Sequence, residues 1–262
     1  VAGGLLLVKL VATPTIIAGV SWVERRFGPA VAGLVAGLPL TSGPVSVFLA
    51  LEQGPDFSRG AAVGMLAGIA AVGAFLLAFA FAAVRGPWWA AVAAGSAAYA
   101  PVAWALGATG LGLFWTGAVA VAALAVVVLA MHKTPAAEAA RRPHAWWEVP
   151  LRMALSTALV LSLTAAAGGL GPHATGLLSP FPIFAAVLGA FVLQRGGPGA
   201  ALLLQRGIAL GAFSFVAFFL VVGATLGTMP LPASYLLAYA AAVGTTMATY
   251  RLAMSRRRPH NL

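Results

Sequence analysis

The chain contains itself twice. Moving the numbering on by 143 places Gly28-Pro29 on Gly171-Pro172, Gly33-Leu34 on Gly176-Leu177 and Pro39 on Pro182. The same ungapped register pairs Phe48 with Phe191, Gly54-Pro55 with Gly197-Pro198 and Gly64 with Gly207. It also pairs Gly68 with Gly211, Phe75 with Phe218 and Pro87 with Pro230. Chance identities in an alanine-rich chain do not preserve prolines and glycines, whose positions answer to backbone geometry. A repeat of this length in an apolar chain points to the two-fold architecture of membrane transporters.

Hydrophobic residues make up 61% of the chain and charged residues 8%. A soluble domain carries about 25% charged residues, so this composition cannot cover a water-facing surface and predicts an all-α integral membrane protein. With no cysteine there is no disulfide framework and no thiol or cysteine-metal chemistry. The first apolar stretch runs on to Trp22 and reads as a spanning helix rather than a cleavable leader.

A spanning helix needs about 20 apolar residues. Cutting at glycine, proline and charge predicts nine spans, near 4–23, 30–51, 61–84, 88–106, 111–131, 150–169, 174–194, 201–226 and 233–250. The connecting segments alternate in charge. One side carries Arg25, Arg26, Arg85, Lys133, Arg141, Arg142, Arg195, Arg251, Arg256, Arg257 and Arg258, and the other Arg59 alone. Positive loops stay cytoplasmic, which predicts an outer N-terminus and a cytoplasmic C-terminus in a bacterial inner membrane. The net charge of +10 is then a topology signal, and nucleic acid is not an expected partner.

The first four spans match the last four, and the fifth has no mate. An odd span between two four-span units inverts the second copy. The expected organisation is a first repeat over 1–107, a connecting helix and cytoplasmic linker over 108–148, and an inverted second repeat with a basic tail over 149–262. In the first unit, Lys9, a short basic turn, the run Ala-Gly-Leu-Val-Ala-Gly-Leu-Pro-Leu-Thr-Ser over 32–42 and Glu52 resemble the GlpM-like group of small four-helix bacterial membrane proteins. The resemblance covers roughly 5–106 and, more weakly, 148–250, where Arg152 replaces the lysine and no acid matches Glu52. It implies a fused, inverted pair of such units and carries no chemistry with it.

The second span holds Pro39, Thr41 and Ser42 near its middle, and the seventh holds Ser179 and Pro182. Proline removes a helical hydrogen bond and clashes with the preceding turn, so both spans are expected to break. Non-helical backbone at that depth survives only buried in protein or lining a cavity. Paired broken spans in corresponding positions mark a transport site, against which stands simple kinking. Thr13 and Thr15 in the first span, with Ser156 and Thr157 in the sixth, are further candidates to line the crevice. Their alternative is to bond back to carbonyls one turn earlier.

Three cations lie in or at the edges of spans. Lys9 and Arg152 are repeat mates, whose stems can instead snorkel to the headgroups. Arg206 sits deeper, beside Gln205, and is a candidate for holding an anion. Glu52 is the one acid placed to couple or gate, with solvation at a loop edge as its alternative. Gly60, Gly64 and Gly68 form a small-residue stripe for close helix packing, matched by Gly207 and Gly211.

Scattered histidines, no metal-binding spacing and no nucleophile motif speak against an enzyme, and no cofactor or metal is expected. The expected function is a small secondary transporter for an anionic or amphipathic molecule, its site between the broken second and seventh spans. The alternative is a non-transporting partner subunit or a lipid-interacting scaffold. The partners implied are the bilayer and a small or lipid-like substrate, and a homo-oligomer is compatible with the sequence.

Overall fold

A computed structural model describes residues 2–39, 42–131, 147, 149–151, 153–155, 157, 158, 177 and 180–255, with some side chains in the first, third and last helices left undescribed. Thr41, Arg152, Ser156, Ser179, the linker over 132–146 and most of the expected span 150–169 lie outside the described residues, as do the side chains of Lys9, Thr13 and Glu52. The described chain is helical: α1 Ala2–Phe27, α2 Pro29–Ala36, α3 Ser42–Gln53, α4 Pro55–Ala83, α5 Trp88–Ala108, α6 Leu113–Ala130, α7 Ile183–Thr225 and α8 Leu231–Ser255. Four of these, α4 to α7, are long and apolar enough to cross a membrane. This is an all-α, membrane-embedded protein.

Gly-Pro pairs set where helices begin. Gly28, Gly54 and Gly197 have φ of 85°, 92° and 73° with ψ near 180°, a conformation essentially confined to glycine. The proline that follows has its φ pre-set for a first helical turn and needs no N–H there. Gly54-Pro55 starts α4. Gly197-Pro198, its equivalent in the 143-residue register, divides α7 into two limbs. Pro87 stands just before α5 and Pro230 just before α8, again in register.

The centre of the protein is α4 and the second limb of α7. Phe75, Phe79, Phe218 and Phe219 are fully buried there. Helices gain little from the hydrophobic effect when their alternative is lipid, so association rests on close packing and hydrogen bonds. Around that pair, α5 and α6 turn large apolar side chains outward, Trp104, Phe114 and Trp115 among them. Helix α6 presents a narrow stripe, Thr116, Gly117, Ala120, Leu124 and Val127, to the interior. Gly117 meets Leu220, and Ala123 meets Gly73 on α4, so α6 packs across both long helices.

Candidate functional site: two breaks in the helical core

Helix α2 ends at Ala36 and α3 begins at Ser42, with Gly37, Leu38 and Pro39 off the helix between them. Gly37 still donates to the Gly33 carbonyl as a helical residue does, and the Leu38 N–H closes a tighter turn on the Val35 carbonyl. Pro180 to Pro182 is likewise non-helical before α7 starts at Ile183. Pro39, Ser42, Pro180 and Pro182 are all buried.

Each break is held by helices of the other half of the chain. Gly33 and Gly37 lie against Gly207 and Gly211 on α7. A Cβ on Gly37 would come within 2.8 Å of the Gly211 Cα and of the Ala212 nitrogen, and one on Gly207 within 3.0 Å of the Gly33 Cα. Two backbones therefore touch directly. At the second break, a Cβ on Gly68 would lie 2.8 Å from the Pro180 ring and 2.9 Å from the Leu177 carbonyl. Gly37 and Pro180 are 143 apart, and so are Gly68 and Gly211. The two corners thus meet register-equivalent glycines.

Breaking a helix orphans carbonyls, which when buried need donors. At the second break the Tyr99 hydroxyl from α5 donates to the Leu177 carbonyl at 2.5 Å. The Tyr99 ring meets Phe181 edge-on at 5.2 Å, and Phe181 in turn meets Phe75 at 6.4 Å. Beyond the first break, Tyr235 of α8 donates to the Ser46 carbonyl at 2.7 Å. Its hydroxyl also lies 2.8 Å from Ser46 Oγ and 3.1 Å from Ser58 Oγ, and the two serine oxygens are 3.2 Å apart. All three side chains are buried.

Of the cation candidates, Arg206 is half-buried, beside a Gln205 that is 0% exposed. The Gln205 amide donates to the Ala185 carbonyl at 3.3 Å and tucks against Gly189. Thr15 is exposed, and its hydroxyl donates to the Val11 carbonyl at 2.7 Å, the intrahelical alternative. Thr157 is half-buried, with a buried Oγ1 lacking a partner among the described residues. The glycine stripe on α4 works at Gly64, which is buried, and at Gly68. Gly60 faces open space, so the packing stripe is shorter than its spacing suggests.

The sequence does not single out Tyr99, Ser46, Ser58 or Tyr235. A signal existed for the tyrosines, since a phenol inside an apolar span must find a partner for its hydroxyl. Sequence alone does not say which. Among the described residues no group of His, Asp and Glu could hold a metal ion.

Comparison with protein-family models, with curated proteins and with solved structures finds no match to this chain.

Proposed function

We propose that the protein is a small secondary transporter of the bacterial inner membrane, built as an inverted 4+1+4 pair of nine spans. The two halves rock about a site at the broken second and seventh spans. The observation that carries this reading is the reciprocal packing of the breaks, Gly37 on Gly211 and Pro180 on Gly68, which is what an internal two-fold axis through the core requires. Matching backbone at Gly54 and Gly197 supports it independently.

Pro39, Thr41 and Ser42 from one half, with Ser179 and Pro182 from the other, would line the site. Ends of half-helices at such breaks point unpaired N–H groups into the gap, and these favour anionic groups. Arg206 adds positive charge from α7, so the substrate class proposed is a small anion or an anionic amphipath. Lys9, Glu52 and Arg152, which the sequence puts at span ends, would serve in coupling or gating.

The test is anion binding and uptake by protein in liposomes. Arg206→Gln is expected to weaken either by about tenfold or more, the worth of one charged hydrogen bond, with the fold kept. Unchanged uptake rejects Arg206 as a substrate contact. Because the chain lacks cysteine, topology is tested by Ala108→Cys, which should label from outside, and Glu138→Cys, which should label only from the cytoplasmic face. Outside labelling of the second rejects the inverted pair.

One observation favours the second reading, a non-transporting scaffold or partner subunit: at Gly37 the break is closed backbone to backbone. A thermal-shift screen in which no anion or lipid stabilises the protein would select it.

A further inference from the structure

We infer that Ser46, Ser58 and Tyr235 form a latch that closes the proposed pathway at the outer end only. This rests on the transporter reading and on its orientation, in which α4 begins and α3 ends at the outer face. Ser58 lies in the first turn of α4 and Tyr235 in the second turn of α8. The cluster therefore ties the first half of the chain, through α3 and α4, to the last helix of the second half.

The proton count of the cluster closes. Each hydroxyl has one proton to donate. Tyr235 gives its proton to the Ser46 carbonyl at 2.7 Å, and Ser46 gives its own to the Tyr235 oxygen at 2.8 Å. Ser58 donates to Ser46, at Oγ 3.2 Å away or at the carbonyl 3.3 Å away. No donor is left over while the helices are together. When they part, water can replace every one of these bonds at little enthalpic cost. Such a contact can open and reclose, which suits a gate.

The register-equivalent positions argue against a purely structural role. Ser46, Ser58 and Tyr235 correspond to Gly189, Ala201 and Val92. Gly189 and Ala201 are buried and Val92 is partly buried against the core, and the polar contact beside Gly189, the Gln205 amide on the Ala185 carbonyl, stays within α7. At these matched positions only the Ser46, Ser58 and Tyr235 set joins α3 and α4 to another helix through hydroxyls. A second layer lies just outside. Arg59, paired with Asp56 at 3.6 Å, reaches over the α7–α8 turn, where its guanidinium would be 3.3 Å from a Cβ on Gly227. This too joins the first half to the second at the same end.

The reporter is Ser42→Cys, buried at the first break and screened from the outer face by the latch. Its labelling by a membrane-impermeant thiol reagent is measured from outside in the full-length protein in liposomes. Adding Tyr235→Phe should raise the labelling rate about fivefold, the population shift that one net buried hydrogen bond supports. Replacing the whole cluster, Ser46→Ala with Ser58→Ala and Tyr235→Phe, should raise it further while leaving no orphaned side-chain partner. Thr245→Val on the same helix removes a hydroxyl bonded only to its own helix and should change nothing. Unchanged labelling in Tyr235→Phe overturns the latch, as does an equal rise from the cytoplasmic side, which would mean general loosening. Anion binding and uptake are measured on protein that keeps Ser42: a labelling rise together with no binding or uptake there keeps the latch and rejects transport. Uptake with unaltered labelling does the reverse.

Discussion

The corners at Gly37 and Pro180 lie 143 residues apart and meet glycines, Gly211 and Gly68, with that same spacing, yet they are closed by different chemistry. The first is backbone on backbone, Gly33 and Gly37 against Gly207 and Gly211. The second sets a proline ring against Gly68 and uses the Tyr99 hydroxyl to satisfy a carbonyl that the break leaves open. The difference teaches that bends at matched positions in the sequence can be covered in different ways. A glycine corner brings two peptide backbones into contact and tolerates no side chain. A proline corner stands further off and needs a hydrogen-bond donor from elsewhere.

The largest effect should come from filling the backbone contact. Gly211→Ala places a methyl against the Leu34 carbonyl and the Gly37 Cα, neither of which can swing aside. Overpacking of this kind costs at least about 1–3 kcal/mol, and loss of monodisperse folded protein in detergent is the expected outcome. Gly68→Ala meets the Pro180 ring as well as the Leu177 carbonyl, and should be milder in thermal unfolding. Equal losses at the two positions would break the distinction between the corners.

Next come the Gly-Pro bends at Gly54 and Gly197. Both have open space around them, so alanine there is opposed by backbone strain alone, about 1–3 kcal/mol. Gly54→Ala and Gly197→Ala should lower the melting temperature by similar amounts. A large inequality would show that two bends alike in backbone torsion differ in what they bear.

Tyr99→Phe should cost about 1–2 kcal/mol by leaving the Leu177 carbonyl without its donor, measured as a drop in unfolding temperature. No drop would mean that another group replaces the phenol. The smallest effect has the opposite sign. Gly60 is exposed on α4 with nothing near it, and Gly60→Ala should stabilise by up to about 1 kcal/mol through helix propensity. Destabilisation would show Gly60 packed against a partner after all.

Much of this architecture was legible in the residues because proline and glycine act locally. A Gly-Pro pair starts a helix through its own torsions, and Pro39, Pro180 and Pro182 interrupt one by removing a donor, whatever surrounds them. The start at Trp88 falls where the sequence puts it and that at Leu231 within two residues of it, while the Gly-Pro pair starts α4 at Pro55, six residues before the expected 61. The partners were not legible. In a chain that is apolar on every face of its spans, hydrophobic periodicity does not separate a core-facing stripe from a lipid-facing one. Gly60 and Gly64 look alike in sequence and differ only in what lies beside them.

The sequence by itself determined that the chain is helical, apolar enough for a membrane, and bent at matched places, since each of these follows from composition or from one residue's own backbone. The tertiary structure alone decided that the Gly33–Gly37 pair meets Gly207 and Gly211, that Tyr99 serves Leu177, and that Tyr235 closes on Ser46 across 189 positions. Those contacts join distant helices, and which faces meet depends on how the whole bundle packs rather than on any local preference.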